Sequence, residues 1–184
     1  MPQFLVVGLG NPGKGYEGTL HNAGREVAIE YAKKCGLDFK ERANALVANG
    51  DDAIVVLPNT FMNNSGIAVW PIMNRKAIPL EKLIVLVDDT YIEMGKIRIK
   101  PNGSCGGHNG LLSIEESLGN RDWTRIRIGV GPDPGGTFRS DYVLSRPRPE
   151  VIPLFAQGKE LARFALETIL DKSLEEAMTI FNAR

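Results

Sequence analysis

Residues 83–87 read Leu-Ile-Val-Leu-Val, an apolar run without a polar face. Side chains on a strand alternate between the two faces of a sheet, so such a run must be covered on both. It is expected in the middle of a sheet. A second run, 4–7, leads straight into a glycine turn and reads as another buried strand. Residues 45–48 and 53–57 flank Asn49-Gly50-Asp51-Asp52, and Asn-Gly between apolar runs signals a hairpin because both residues tolerate positive φ. A hairpin adds antiparallel pairing, so the sheet is expected to be mixed.

Asn22 is placed to cap a helix that carries Val27, Ala28, Tyr31, Ala32 and Cys35 on one face and stops at Gly36. After a loop at 58–65, a short helix carries Ile67, Trp70 and Met73, with Pro71 expected to end or kink it. Further strands are expected at 96–100 and 124–130, bracketing a second glycine-rich loop and a helix over 111–118. Residues 131–149, rich in proline and glycine, read as surface loop. Val151, Leu154, Phe155, Leu161, Ala162, Ala165 and Ile169 then fall on a helical stripe. Ser173-x-x-Glu176 has the form of a capping box for a last helix bearing Leu174, Met178 and Phe181.

With 184 residues and no internal repeat or linker, the chain is expected to form one compact core. Its 22 basic and 22 acidic residues cancel, so a nucleic-acid partner would have to be held by a local basic patch. No apolar stretch approaches the roughly 20 residues of a membrane span, and no basic signal-peptide start precedes one. With only Cys35 and Cys105 as thiols, the cytoplasm is the expected compartment.

Gly8-Leu9-Gly10-Asn11-Pro12-Gly13 satisfies G-x-G-x-x-G after a strand, which raises dinucleotide binding. That motif needs a helix to begin inside the glycine run, whereas Pro12, Gly15 and Gly18 prolong an open loop here. An acidic residue about twenty positions on, at the end of a parallel strand, is also missing. His21 closes the loop at the start of the next helix, where partial positive charge would keep its ring neutral and able to accept a proton. Asp88 ends the apolar central run, at the strand end where open α/β sheets place their sites, and could orient an imidazole; Asp89 fits equally well by spacing.

The stretch from Asn102 to Gly110 is too glycine-rich for regular structure and opens into a helix. Its N–H groups could converge on a phosphate or a developing oxyanion, or its glycines could simply permit a tight crossover. His108 and Asn109 add polar side chains to the first reading. Cys105-x-x-His108 raises a thiol nucleophile, but residues three apart in such a loop need not face one another. Two cysteines and two histidines, well dispersed, make a zinc site a poor expectation. Lys96, Arg98 and Lys100 alternate along one strand, as do Arg125 and Arg127 along another, so each set shares a face. If the strands are neighbours, they form a phosphate-binding patch.

Taken in order, these blocks resemble the bacterial-type peptidyl-tRNA hydrolase family. The opening Val7-Gly8-Leu9-Gly10-Asn11-Pro12-Gly13, with Tyr16 and Thr19-Leu20-His21-Asn22, is similar to the family's first motif, and Asn59-Thr60-Phe61-Met62-Asn63-Asn64-Ser65-Gly66 to its second. Asp88-Asp89, then Gly106-Gly107-His108-Asn109-Gly110-Leu111, then Arg125-Ile126-Arg127-Ile128-Gly129-Val130-Gly131 supply the others. Five blocks in order across most of the chain are far more specific than one glycine loop. The resemblance implies a single α/β domain, a twisted mixed β-sheet flanked by helices. It implies hydrolysis of the ester joining peptide to the terminal ribose of tRNA, with no metal and no organic cofactor.

Carried over by position, His21 would activate water and Asp88, selected over Asp89, would orient its ring. Asn11 and Asn109 would hold substrate and water near the carbonyl. Met62 and Asn63, with Tyr16 and Phe61 from the same motifs, would contact the peptide or terminal adenosine. Lys96, Arg98, Lys100 and Arg127 would meet RNA phosphates, and binding should weaken with salt. A monomer acting on peptidyl-tRNA in the cytoplasm is the expectation; a non-catalytic RNA-binding relative of the same fold is the alternative. Leu20 stands where the family has arginine and Val87 where it has histidine. Residues 90–94 and Ser104-Cys105 also depart from the pattern.

Overall fold

A computed structural model describes residues 3–133 and 135–183. Its strands are β1 (Phe4–Gly8), β2 (Lys40–Arg42), β3 (Ala45–Asn49), β4 (Ala53–Pro58), β5 (Leu83–Glu93), β6 (Ile97–Lys100) and β7 (Thr124–Gly131). They form one seven-stranded sheet in the order β2-β3-β4-β1-β5-β7-β6. The pairs β4–β1, β1–β5 and β5–β7 are parallel, while β2–β3, β3–β4 and β6–β7 are antiparallel. The mixed sheet and the hairpin at Asn49-Gly50 therefore form as the sequence indicates. The apolar run lies inside the sheet, fully buried, between β1 and β7.

Helices α1 (Ala23–Lys34), α2 (Gly66–Lys76), α3 (Asn109–Leu118), α4 (Phe138–Val143), α5 (Ile152–Asp171) and α6 (Leu174–Phe181) complete the fold. The strand alternation builds two cores. Val6, Ile84, Leu86, Ile126 and Ile128 pack with α1, α5 and α6 on one face. Leu5, Val7, Val85 and Val87 pack with α2 and α3 on the other. Burying each such aliphatic side chain contributes about 1.5–3 kcal/mol. Helix α1 lies so close to β5 that a Cβ on Gly24 would sit 2.0 Å from the Leu86 carbonyl oxygen, and only glycine permits that approach.

Several local expectations need correction. Pro71 does not end α2, which runs on to Lys76 because Ala68, Val69, Ile72 and Met73 bury its inner face on both sides of the proline. That face leaves Ile67 and Trp70 exposed. Cys35 is also exposed, since α1 ends at Lys34 and Gly36 turns the chain away with φ 66°. Strand β5 continues past the apolar run to Glu93, with an irregularity between Asp89 and Glu93. Residues 131–149 contain the six-residue α4 besides loop, and Leu154 on α5 faces outward. Of the capping box at α6 the serine half forms, the Ser173 hydroxyl accepting from the Glu176 N–H at 3.1 Å, while the Glu176 carboxylate pairs with Lys172.

Candidate active site

The four parallel strands end at the same edge of the sheet, so the loops that follow them converge there. β1 leads to Asn11 and His21, β4 to Phe61, Met62 and Asn63, and β5 directly to Asp88. Together with the start of α3 and residues of α4, they enclose a cleft of about 550 Å³. His21 stands in a single 3-10 turn, Leu20–Asn22, immediately before α1.

His21 Nδ1 lies 3.0 Å from each oxygen of the Asp88 carboxylate. Because a carboxylate only accepts, Nδ1 carries the proton and the lone pair resides on Nε2. Nε2 has no hydrogen-bond partner among the described residues, and the ring lines the cleft. The expectation that a helix terminus depresses the His21 pKa is overturned. Burial does pull it down, but the charge of Asp88 and its hydrogen bond more than reverse this, and the pKa is raised. Asp88 shows the opposite balance. Burial alone would push its carboxyl up, yet His21 and His108 hold it far below the usual carboxylate range.

His108 is the participant whose role the residue pattern did not reveal. Its Nε2 lies 2.9 Å from Asp88 Oδ1, the same oxygen that His21 approaches. Its Nδ1 accepts from the backbone N–H groups of Gly110 and Leu111, at 3.1 and 3.4 Å, as the N-cap of α3. Those bonds fix the tautomer, with Nδ1 bare and Nε2–H donating to Asp88. They also bear on the reading of the glycine loop, because the Gly110 N–H, one of those expected to face an anion, is occupied by His108. A histidine three residues before the helix expected at 111–118 was the available signal. With both nitrogens engaged, His108 offers no base to Cys105, although that thiol lines the same cleft.

Asn11 is almost fully buried and held from two sides. Its backbone N–H donates to Asn22 Oδ1 at 2.8 Å, and its carbonyl accepts from Asn22 Nδ2 at 3.0 Å. Asn22 thus locks the first loop rather than capping α1, whose N-cap position it occupies without a side-chain bond. Asn11 Oδ1 accepts from the Met62 N–H at 2.8 Å, which orients the amide and leaves Nδ2 as a donor at the cleft. Met62 is buried, whereas Asn63, Asn109 and Phe61 are exposed along the cleft. Tyr16 stands outside the cleft lining and meets the Phe61 ring edge-on at 6.2 Å.

The basic strands are neighbours, with Arg98 opposite Arg127 and Lys100 opposite Arg125. Their contribution differs from a uniform patch. Arg125 is fully buried, stacked 3.6 Å from the Trp123 ring and paired with Glu115, because its strand position lies beneath α3. Arg127 lines the cleft, bound to Asp89 Oδ2 at 3.1 Å and to the Ser104 carbonyl at 2.8 Å. Lys96 pairs with Glu93 at 2.7 Å. Arg98 and Lys100 remain exposed, continuing outward from the cleft wall.

The ligating atoms of His21, Asp88 and His108 lie within 4.8 Å of one another. The two imidazole nitrogens that face Asp88 are engaged in hydrogen bonds to its carboxylate. The first glycine run is likewise filled by its own chain. The Arg25 N–H bonds the Leu9 carbonyl at 2.9 Å, and a Cβ on Gly10 would meet Arg25 at 2.7 Å, so the loop packs directly against the first turn of α1. No described helix is long and apolar enough to cross a membrane.

The profile of the family described as peptidyl-tRNA hydrolase matches residues 5–184. A peptidyl-tRNA hydrolase of Caldanaerobacter subterraneus subsp. tengcongensis is 42% identical over 185 residues, covering 97% of this chain and 99% of its own. One from Salinibacter ruber is 38% identical, covering 98% of each chain. The crystal structure of peptidyl-tRNA hydrolase from Acinetobacter baumannii superposes with a TM-score of 0.93 at 31% identity, covering 99% of this chain and 95% of the other.

Proposed function

The chain belongs to the peptidyl-tRNA hydrolase family and hydrolyses the ester bond between peptide and tRNA; we propose that His21 is the general base of that reaction and Asp88 its orienting partner. The observation that carries this reading is the His21–Asp88 pair, which fixes Nδ1–H and presents the Nε2 lone pair to a 550 Å³ cleft. Nε2 removes a proton from water as the oxygen attacks the ester carbonyl. The resulting imidazolium is stabilised by buried Asp88. Collapse of the tetrahedral intermediate breaks the bond to the ribose oxygen, which takes the proton from His21. Peptide and tRNA leave as acid and alcohol.

Asn11 Nδ2 and the exposed Asn109 are the amide groups available to the carbonyl oxygen and the attacking water. A fixed donor of this kind typically contributes about 2.7–4 kcal/mol to barrier lowering. Phe61, Met62 and Asn63 receive peptide or terminal adenosine, with Tyr16 supporting Phe61 edge-on. Arg98 and Lys100 meet RNA phosphates beyond the cleft, where contacts position without reading sequence. The enzyme works as a monomer in the cytoplasm and needs neither metal nor organic cofactor. Its relatives' shared enzymatic name and the complete His21, Asp88, Asn11 and Asn109 set give no support to a non-catalytic RNA-binding role.

The test is release of tRNA from an N-acetyl-aminoacyl-tRNA by protein treated with chelator. Turnover unchanged by chelator and unaffected by added divalent ions is expected. Activity that vanishes and returns with a metal would overturn the mechanism.

A further inference from the structure

Strand β6 is only four residues long and forms an edge of the sheet. Its partner places arginines directly opposite two of its basic side chains, Arg127 against Arg98 and Arg125 against Lys100. Like charges in directly opposed positions destabilise strand pairing. Like charge therefore opposes the pairing where Arg98 and Lys100 are mounted. Asp89 and Glu115 offset the charges of Arg127 and Arg125 respectively, whereas Arg98 and Lys100 have no carboxylate partner among the described residues.

An edge strand also leaves alternate N–H and C=O groups without a neighbouring strand. At Ile99 both groups are met by one side chain. Asn182, just beyond α6, accepts from the Ile99 N–H through Oδ1 at 2.8 Å and donates from Nδ2 to the Ile99 carbonyl at 2.9 Å. Its amide reproduces the pairing that an eighth strand would supply. The backbone carbonyl of Asn182 also accepts from Arg98 Nη1 at 3.3 Å. Asn182 thus grips β6 by its backbone and holds the guanidinium tip of Arg98. Helix α6 is anchored for the task, with Ser173 capping its start and Ala177 and Phe181 buried in the core.

We propose that Asn182 is a positioning residue for tRNA binding: it clamps β6 against its repulsive cross-strand pairs and so holds Arg98 and Lys100 in register for RNA phosphates. This rests on the reading that those two side chains contact RNA. Loss of the clamp should loosen Ile99 and the basic strand without disturbing His21 or Asp88, which lie at the carboxyl end of the parallel strands. The effect belongs in substrate affinity and not in the chemical step.

The experiment compares parent, Asn182→Ala and Lys100→Ala as full-length proteins. KM and kcat are measured on an N-acetyl-aminoacyl-tRNA and on the corresponding N-acetyl-aminoacyl-adenosine, which lacks the RNA body. Exchange of the Ile99 amide is followed by NMR. For Asn182→Ala the expected result is faster Ile99 exchange and a KM for the tRNA substrate raised about five-fold. Its kcat, and both constants for the adenosine ester, should stay at parent values. If Lys100→Ala raises KM but Asn182→Ala does not, the clamp is overturned and the basic-strand reading stands. If neither variant changes KM for tRNA, the basic-strand reading falls and the clamp with it. Equal losses on both substrates would show a general structural defect and would also overturn the proposal.

Discussion

The rings of His21 and His108 lie 4.9 Å apart, tilted by 48°, and both direct a nitrogen at the same buried carboxylate. Asp88 is therefore held by two donors, of which only His21 has its other nitrogen free for chemistry. The second histidine thus holds the carboxylate in place beside the first.

This arrangement sets a pH dependence. His21 acts as a base only when neutral, and its pKa is raised by Asp88. The rate should climb with pH through a value above the usual imidazole pKa of about 6.5 and level off beyond it. In Asp88→Asn the raising charge is gone while burial still opposes protonation, so the acid limb should move to lower pH. The plateau should drop about a hundred- to ten-thousand-fold, because the tautomer and the imidazolium lose their partner. A pH profile of kcat/KM for the two proteins checks both directions.

His108 has two duties that substitution can separate. Asn at an N-cap position accepts from the same helix N–H groups, so His108→Asn should retain most of the stability while losing the bond to Asp88. His108→Ala should lose both, with about 1 kcal/mol less stability from the missing cap. Thermal or denaturant unfolding alongside kcat distinguishes the two. Equal activity of His108→Asn and the parent would show that Asp88 needs no second donor.

For Asn11 the relevant distinction lies within one amide. Asn11→Asp keeps an oxygen to accept from the Met62 N–H but loses the Nδ2 donor and brings negative charge to the cleft. Folding should survive, and kcat should fall about a hundred-fold or more. Circular dichroism with single-turnover rates tests the pair of outcomes.

Gly24 controls the distance between the helix that follows His21 and the strand that carries Asp88. A methyl group there would lie 2.0 Å from the Leu86 carbonyl oxygen and 2.6 Å from its carbon. The backbone itself must move, so Gly24→Ala should cost about 1–3 kcal/mol of stability and lower kcat as well. A variant that unfolds at the parent's midpoint would contradict the packing described.

Legibility in the sequence followed from how local each signal is. The run at 83–87 demands burial on both faces whatever surrounds it, and Asn49-Gly50 forms its hairpin from backbone preference alone. His21 could be singled out because it closes the glycine loop before a helix and Asp88 because it ends the apolar run, but only the motif resemblance separated Asp88 from Asp89. The structure adds a physical distinction, since Asp89 is taken up by Arg127 and the Tyr91 N–H. What stayed hidden depends on contacts distant in the chain. Asn22 resembles a cap yet binds Asn11, and Arg125 resembles a surface cation yet lies beneath α3 against Trp123. Asn182 meets Ile99 across 83 positions, and no local pattern marks that contact.

The central claim is that His21 supplies the base, and the most direct measurement is a single-turnover hydrolysis rate with His21→Ala in excess over N-acetyl-aminoacyl-tRNA. The account predicts tRNA affinity close to the parent's and a rate lower by about a hundred- to ten-thousand-fold. A variant that binds equally well and hydrolyses within a few-fold of the parent would contradict it, and would move the proton transfer away from the His21–Asp88 pair.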